Sequence, residues 1–147
     1  MKINGSHPRI QDSDISEVEA VLGYPLPQQY RNFILQNNGG EPDPERFSTL
    51  DEKVESGVKY FFPIAGFGDD LLAEIDYFTI AGMIPRNLFP IATNPAEERI
   101  LLSGTGDDMG NVYYWSWGEE PKNVTYLYRY MRKIADDFNG FLAKLHS

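Results

Sequence analysis

Cysteine is absent from the 147-residue chain. The fold therefore uses no disulfide and no thiolate metal site, and thiol catalysis is excluded. A reducing compartment fits this absence without being required by it. Histidine is scarce: His7 and His146 lie near the two ends. Chain ends are usually poorly ordered, and a catalytic triad needs a tightly oriented imidazole, so both are read as solvated side chains. Long apolar runs are missing too, and no stretch approaches the ~20 residues of a membrane span. The opening MKINGSHPRI has no apolar run after Lys2, which argues against a secretory leader. The expected location is the cytoplasm. Basic residues are few, with 13 Lys and Arg against 22 Asp and Glu, a net charge of −9. Residues 1–120 hold 20 acids and 8 bases, whereas residues 121–147 hold 2 acids and 5 bases. Such a surface repels nucleic acid and anionic membranes. It attracts and steers a basic protein.

What is present is a core. Hydrophobic residues make up 41% of the chain and aromatics 14%, too many for a disordered polymer. The length fits one domain over residues 1–147, with 1–12 a loose polar segment. Asp14 and Glu17 form a capping-box-like pair before Ile15, Val18 and Leu22, and Gly23 stops that helix. Pro27 is placed to open a second helix carrying Tyr30, Phe33 and Ile34, which Asn38-Gly39-Gly40 ends. Residues 41–57 read as an acidic surface loop. Val58, Tyr60, Phe62 and Ile64 alternate as in a strand. Asp69 can cap a third helix bearing Leu71, Leu72, Ile75 and Phe78. A short Phe89-Pro90-Ile91-Ala92 segment precedes two strands, Arg99–Ser103 and Val112–Trp117. A further strand is expected at Val124–Tyr130. Asp136 is placed to cap a closing helix with Phe138, Phe141, Leu142 and Leu145 on one face, where Gly140 costs roughly 1 kcal/mol against alanine. Strands joined by short turns indicate an antiparallel sheet, so the expected class is α+β, with the sheet in the second half packed by helices from both ends.

Chemistry-bearing motifs are sparse. Gly104 to Gly110 superficially resembles a phosphate cradle. Its spacing is wrong, it leads into a strand, and Asp107 and Asp108 would repel phosphate, so it is read as a hairpin turn. Five acidic pairs occur: Asp69-Asp70, Glu97-Glu98, Asp107-Asp108, Glu119-Glu120 and Asp136-Asp137. None has the alternating oxygen ligands of a calcium loop, and caps and turns account for them, although folding could still cluster some. No metal or cofactor is expected. Paired carboxylates with Trp115 and Trp117 as sugar platforms remain formally open, but nothing selects two of the acids. The densest feature is aromatic. In a strand, Val112, Tyr114 and Ser116 face one side and Tyr113, Trp115 and Trp117 the other. Either both faces are covered, or one is a binding surface rich in hot-spot residues. Core packing is the preferred role for most of them.

The run Ile15-x-x-Val18-Glu19-x-x-Leu22-Gly23-Tyr24-x-Leu26-Pro27-x-x-Tyr30-x-x-Phe33-Ile34-x-x-Asn37-Asn38-Gly39-Gly40 resembles the amino-terminal signature of the SUKH superfamily. That superfamily groups a fungal cell-wall synthesis regulator with many bacterial immunity proteins. The resemblance continues, in the family's order, through Phe62-Pro63-Ile64, Phe89-Pro90-Ile91-Ala92, Gly110 to Trp115 and Ile134 to Leu142. One departure is Asn94-Pro95-Ala96-Glu97-Glu98-Arg99, where members often carry Gly-Asp or Gly-Asn before the strand. The matched residues Gly23, Leu26, Pro27, Tyr30, Phe33, Asn38, Gly39, Gly40, Pro90, Gly110, Tyr113, Phe138, Phe141 and Leu142 read as scaffold, so function must lie elsewhere on the surface.

The resemblance implies a non-catalytic immunity protein that binds and blocks a toxin domain, such as a nuclease. The partner would be a basic toxin domain. Glu41, Asp43, Glu45, Asp69, Asp70, Asp107, Asp108, Glu119 and Glu120 are the expected acidic contacts, with Trp117 as an anchor. Two alternatives stand beside this reading: a regulatory scaffold of the cell-wall-regulator type, and a hydrolase using clustered carboxylates. The oligomeric state is open.

Overall fold

The computed structural model describes residues 1–65, 70–116 and 128–147, with the side chain of Arg129 excepted. Strand β6 (Leu88–Thr93) is buried at every position, which is possible only for a strand covered on both faces. It lies in a five-stranded antiparallel sheet of order β5 (Tyr60–Phe61), β6, β7 (Arg99–Ser103), β8 (Val112–Trp115) and β9 (Met131–Ala135). Pro90 is tolerated inside this strand because the β6–β7 register shifts between Pro90 and Ala92. In β7 and β8, Ile100 faces Tyr114, Leu101 faces Tyr113 and Leu102 faces Val112. Alternation therefore sends Ile100, Leu102, Val112 and Tyr114 into one apolar cluster and Leu101, Tyr113 and Trp115 into another. The α+β class with an antiparallel sheet is as the sequence indicates.

Three helices supply the first cluster: α1 (Asp12–Leu22), α2 (Gln28–Gln36) and α4 (Phe138–Lys144). Phe138 is its hub, with ring centroids 5.3 Å from Tyr30 and 5.1 Å from Phe33, both edge-on. Burial pushes the Tyr30 hydroxyl above its ordinary pKa. Helix α3 (Leu71–Glu74) adds Leu71 to the first cluster and runs directly into a π-helical segment (Ile75–Ile80) that closes the second. That segment seats Phe78 edge-on against Trp115, with centroids 5.4 Å apart. A buried ion pair clamps the two layers: Arg99 donates to Glu74 at 2.5 Å, with its guanidinium 5.2 Å from the Phe78 ring centre.

Several expectations are corrected here. The first twelve residues are not loose. Strand β1 (Lys2–Asn4) pairs with β2 (Glu41–Asp43), and the buried Asn38 amide donates to the carbonyls of Pro8 and Ile64. Residues 41–57 are not one loop: they hold β2 and the hairpin β3 (Arg46–Ser48) with β4 (Glu55–Gly57), whose Phe47 is fully buried. The Val58–Ile64 alternation yields only Tyr60–Phe61 as strand, since Phe61 and Phe62 are both buried. Helix α1 starts three residues early, and Asp14 instead accepts from the Gln11 N–H. Pro27 caps α2 rather than entering it. Of the expected strand at Val124–Tyr130, residues 124–127 lie outside the described residues and Tyr128–Tyr130 is a 3-10 turn. The strand is Met131–Ala135, so Ile134 and Ala135 belong to the sheet and not to the closing helix. The caps shift by one residue: Asp70 accepts from the Ala73 N–H and Asp137 from the Gly140 N–H. Gly140 thus sits in the first turn, where a Cβ would come 2.7 Å from the capping carboxylate. Asp69 lies outside the described residues.

Other matched positions are as expected. Gly23 closes α1 with φ 87°, its N–H bonded to the Glu19 carbonyl. Gly39, at φ 74°, lies so close to Pro63 that a Cβ would come within 2.8 Å of it. Leu26, Gly40 and Phe141 are buried, and Leu142 packs half-buried against the core.

Removing one member of the Glu74–Arg99 pair leaves a buried charge poorly compensated. Glu74→Ala is expected to cost about 3 kcal/mol. Chemical denaturation against the parent measures it, and a loss below about 1 kcal/mol would show that the pair carries little.

Candidate binding groove

The turn between β6 and β7 builds its own closure. The Asn94 side chain accepts from the Glu98 N–H at 2.7 Å, and the Asn94 carbonyl accepts from the Glu97 N–H at 3.0 Å. Glu97 takes φ 61°, a left-handed conformation that glycine adopts at lower cost. Geometry there throws Glu98 and Arg99 to opposite sides of the strand. Arg99 goes to Glu74, whereas the Glu98 carboxylate turns toward the first-cluster face. It accepts from the Tyr114 hydroxyl at 2.5 Å and the Asn94 amide at 2.8 Å. The Ser116 hydroxyl is a third donor. The Asn94 amide also reaches the Ser56 hydroxyl at 3.1 Å, tying the turn to β4.

Glu98 and Tyr114 line two adjoining depressions. One, of about 590 Å³, is walled by Leu50, Val54, Tyr130 and Arg132. The other, of about 310 Å³, is walled by Glu45, Glu55, Ser56 and the Asn94–Ala96 turn. The β3–β4 hairpin forms the outer wall, held to β9 because the Leu50 N–H donates to the Lys133 carbonyl at 2.8 Å. Lys144 adds a second tether, donating to the carbonyls of Ser48 and Ile134 at 2.9 and 2.6 Å. Leu50 stands at the rim, 54% exposed.

Charge in this groove is unevenly matched. Arg132 pairs with Asp51 at 2.8 Å, Arg46 with Glu55 at 3.1 Å, and Lys133 with Asp136. Hydrogen bonds from Thr49 and the Lys53 N–H, with Arg132 beside it, hold the Asp51 carboxyl down at about 2. Among the described residues Glu98 has no such cation: Tyr114, Asn94 and Ser116 are all neutral. Burial pushes its carboxyl up, but hydrogen bonds from those three side chains outweigh it and leave the pKa below its ordinary 4.5. At neutral pH the groove floor therefore carries an ionised carboxylate.

A second network closes the far end of β7. Asp108 accepts from the Ser103 hydroxyl at 2.8 Å, the Tyr113 hydroxyl at 2.7 Å and the Asn87 amide at 3.1 Å. Burial raises its pKa, yet hydrogen bonds from Tyr113, Ser103 and Tyr128 bring it below the ordinary value. Residues 104–110 form the expected hairpin turn, and the Gly110 N–H donates to the Ser103 carbonyl at 2.8 Å. Glycine is needed at 104 for space, since a Cβ would fall 2.2 Å from the Tyr24 ring. Among the described residues no three His, Asp or Glu side chains gather as a metal site.

The model of the SMI1 / KNR4 family (SUKH-1) matches residues 9–144, nearly the whole chain. The chain belongs to this family. No curated protein matches it.

In this SUKH-1 chain the predicted contacts are not one patch. Glu41 and Asp43 are exposed on β2, Glu45 lines the groove, and Asp107 is exposed on the hairpin turn. Asp70 is only 4% exposed and serves as a helix cap. Asp108 is engaged in its network. Asp69, Trp117, Glu119 and Glu120 lie outside the described residues. His146 is exposed, but its backbone pairs with Arg46 in both directions, at 2.9 and 3.0 Å. Sequence reasoning missed Glu98, Asn94 and Ser56 as a unit. The only signal was Glu97-Glu98, one acidic pair among five.

A carboxyl held below its ordinary value contributes stability above that pH and loses it as pH falls through the folded value. Glu98→Gln is expected to be about 1 kcal/mol less stable than the parent at pH 7. It should also lose less stability between pH 5 and pH 3. Denaturant titrations across that range test this, and parallel acid limbs for the two proteins would refute it.

Proposed function

We propose that this chain is a non-catalytic binding protein that neutralises a basic toxin domain in the compartment where the toxin acts, taken here as the cytoplasm. The family match over residues 9–144 carries the reading, because SUKH resemblance implies immunity proteins. The charge supports it: an excess of 22 acids over 13 bases speeds capture of a basic protein. Exposed Glu41, Asp43, Glu45 and Asp107 supply part of that field. No helix among the described residues is long and apolar enough to cross a membrane. Glu98 and Asp108, each a partly sheltered carboxylate with neutral donors, sit at opposite ends of β7 in separate networks, which gives no support to pairing them as hydrolase carboxylates.

The test is co-expression with the polypeptide encoded beside this chain's gene. The expected result is that the neighbour arrests growth alone, that this chain restores growth, and that the two form a complex. Association should slow at least tenfold between about 50 and 500 mM salt. Reversing Glu41, Asp43, Glu45 and Asp107 to lysine should slow association further at low salt. A harmless neighbour, with capture of several housekeeping enzymes instead, would favour the regulatory-scaffold reading. A salt-independent association rate would remove the electrostatic part of the proposal.

A further inference from the structure

We infer that the Glu98 groove is a receptor for a single arginine side chain of the protein partner, which the proposed binding function presupposes but does not locate. The groove has the three things a guanidinium needs. Its floor holds a carboxylate whose own donors are neutral, so among the described residues one negative charge has no counter-ion within the chain. Its walls include Tyr114 and Tyr130, aromatic side chains of the kind that a planar cation stacks on. Leu50 and Val54 border the same depression and can cover the aliphatic stem. The bases lining it are already matched, Arg132 by Asp51, Lys133 by Asp136 and Arg46 by Glu55, so they offset Glu98 only weakly.

Partial shelter makes the charge selective. Glu98 is half-buried and its oxygens are positioned by Tyr114 and Asn94 before any ligand arrives, so less ordering is required on binding. Exposed acids such as Asp76 on the π-helical segment lack walls and hold a cation no better than solvent does. A charge-assisted pair with a preset carboxylate is among the stronger single contacts at an interface, and arginine is enriched at hot spots for that reason.

The probe is N-acetyl-arginine N-methylamide, titrated into the full chain at low salt and followed by amide NMR. The expected outcome is a saturable shift at Leu50, Val54, Glu98 and Ser116. The citrulline analogue, its neutral isostere, should give no such shift. Glu98→Gln should weaken arginine binding about tenfold, while Asp76→Asn should leave it unchanged. Equal shifts from citrulline, or shifts spread evenly over all acidic positions, would overturn the assignment with the parent protein alone, whether or not the variant folds. In the growth test, rescue that survives Glu98→Gln overturns the groove and leaves the immunity reading intact. A neighbour that is not toxic overturns the immunity reading, while saturable arginine binding would still support the groove.

Discussion

Bulky side chains on both faces of β8 constrain everything else. Tyr113 and Trp115 point one way, Val112 and Tyr114 the other, and all four are buried. A strand of that kind cannot leave either face in water without exposing a large aromatic area. Helices α1, α2 and α4 close one side, and the π-helical segment with Phe78 closes the other. The Glu74–Arg99 pair sits where these layers meet, and its ions are sheltered at 11% and 14% exposure. The pair ties the end of α3 to β7, and a misplaced α3 would strand both charges.

The groove follows from the same constraint. Helices cover the first-cluster face only in part, and the β3–β4 hairpin covers the rest at an angle set by its tethers to β9 and α4. Between hairpin and sheet remains a cleft too polar to collapse, because Asn94, Ser56, Glu98 and Tyr114 satisfy one another there. Rigid strands on the floor and a tethered hairpin for a wall give a preformed site. Asn94 to Glu98 forms the edge of that site.

Much of the fold was legible in the residues. Gly23, Asn38 and Gly39 marked helix ends by backbone chemistry that acts within a few positions. The hairpin of Gly104 to Gly110 was legible because turn residues separate two β-rich runs. Legibility failed wherever a distant partner decided the outcome. Residues 1–12 looked loose because nothing local shows that Asn38 holds Pro8 or that Lys2 faces Asp43. The last strand was expected at Val124–Tyr130 rather than at Met131–Ala135 because the pairing with β8 lies outside any local window. Asp70 looked like a surface acid, yet it is a buried cap.

The sequence by itself determined the class, the charge and the exclusions. Absent cysteine, scarce histidine and a net charge of −9 are properties of composition, and no folding can change them. Periodicity settled the main helices because helical neighbours are three and four residues apart along the chain. Only the tertiary structure decided which acid matters. Glu97 and Glu98 are equivalent in composition, but a left-handed residue at 97 and a strand beginning at 99 point one to solvent and one onto Tyr114. That choice depends on residues 16 positions away in β8 and 42 positions away at Ser56, and sequence separation carries no information about such distances until the sheet has formed.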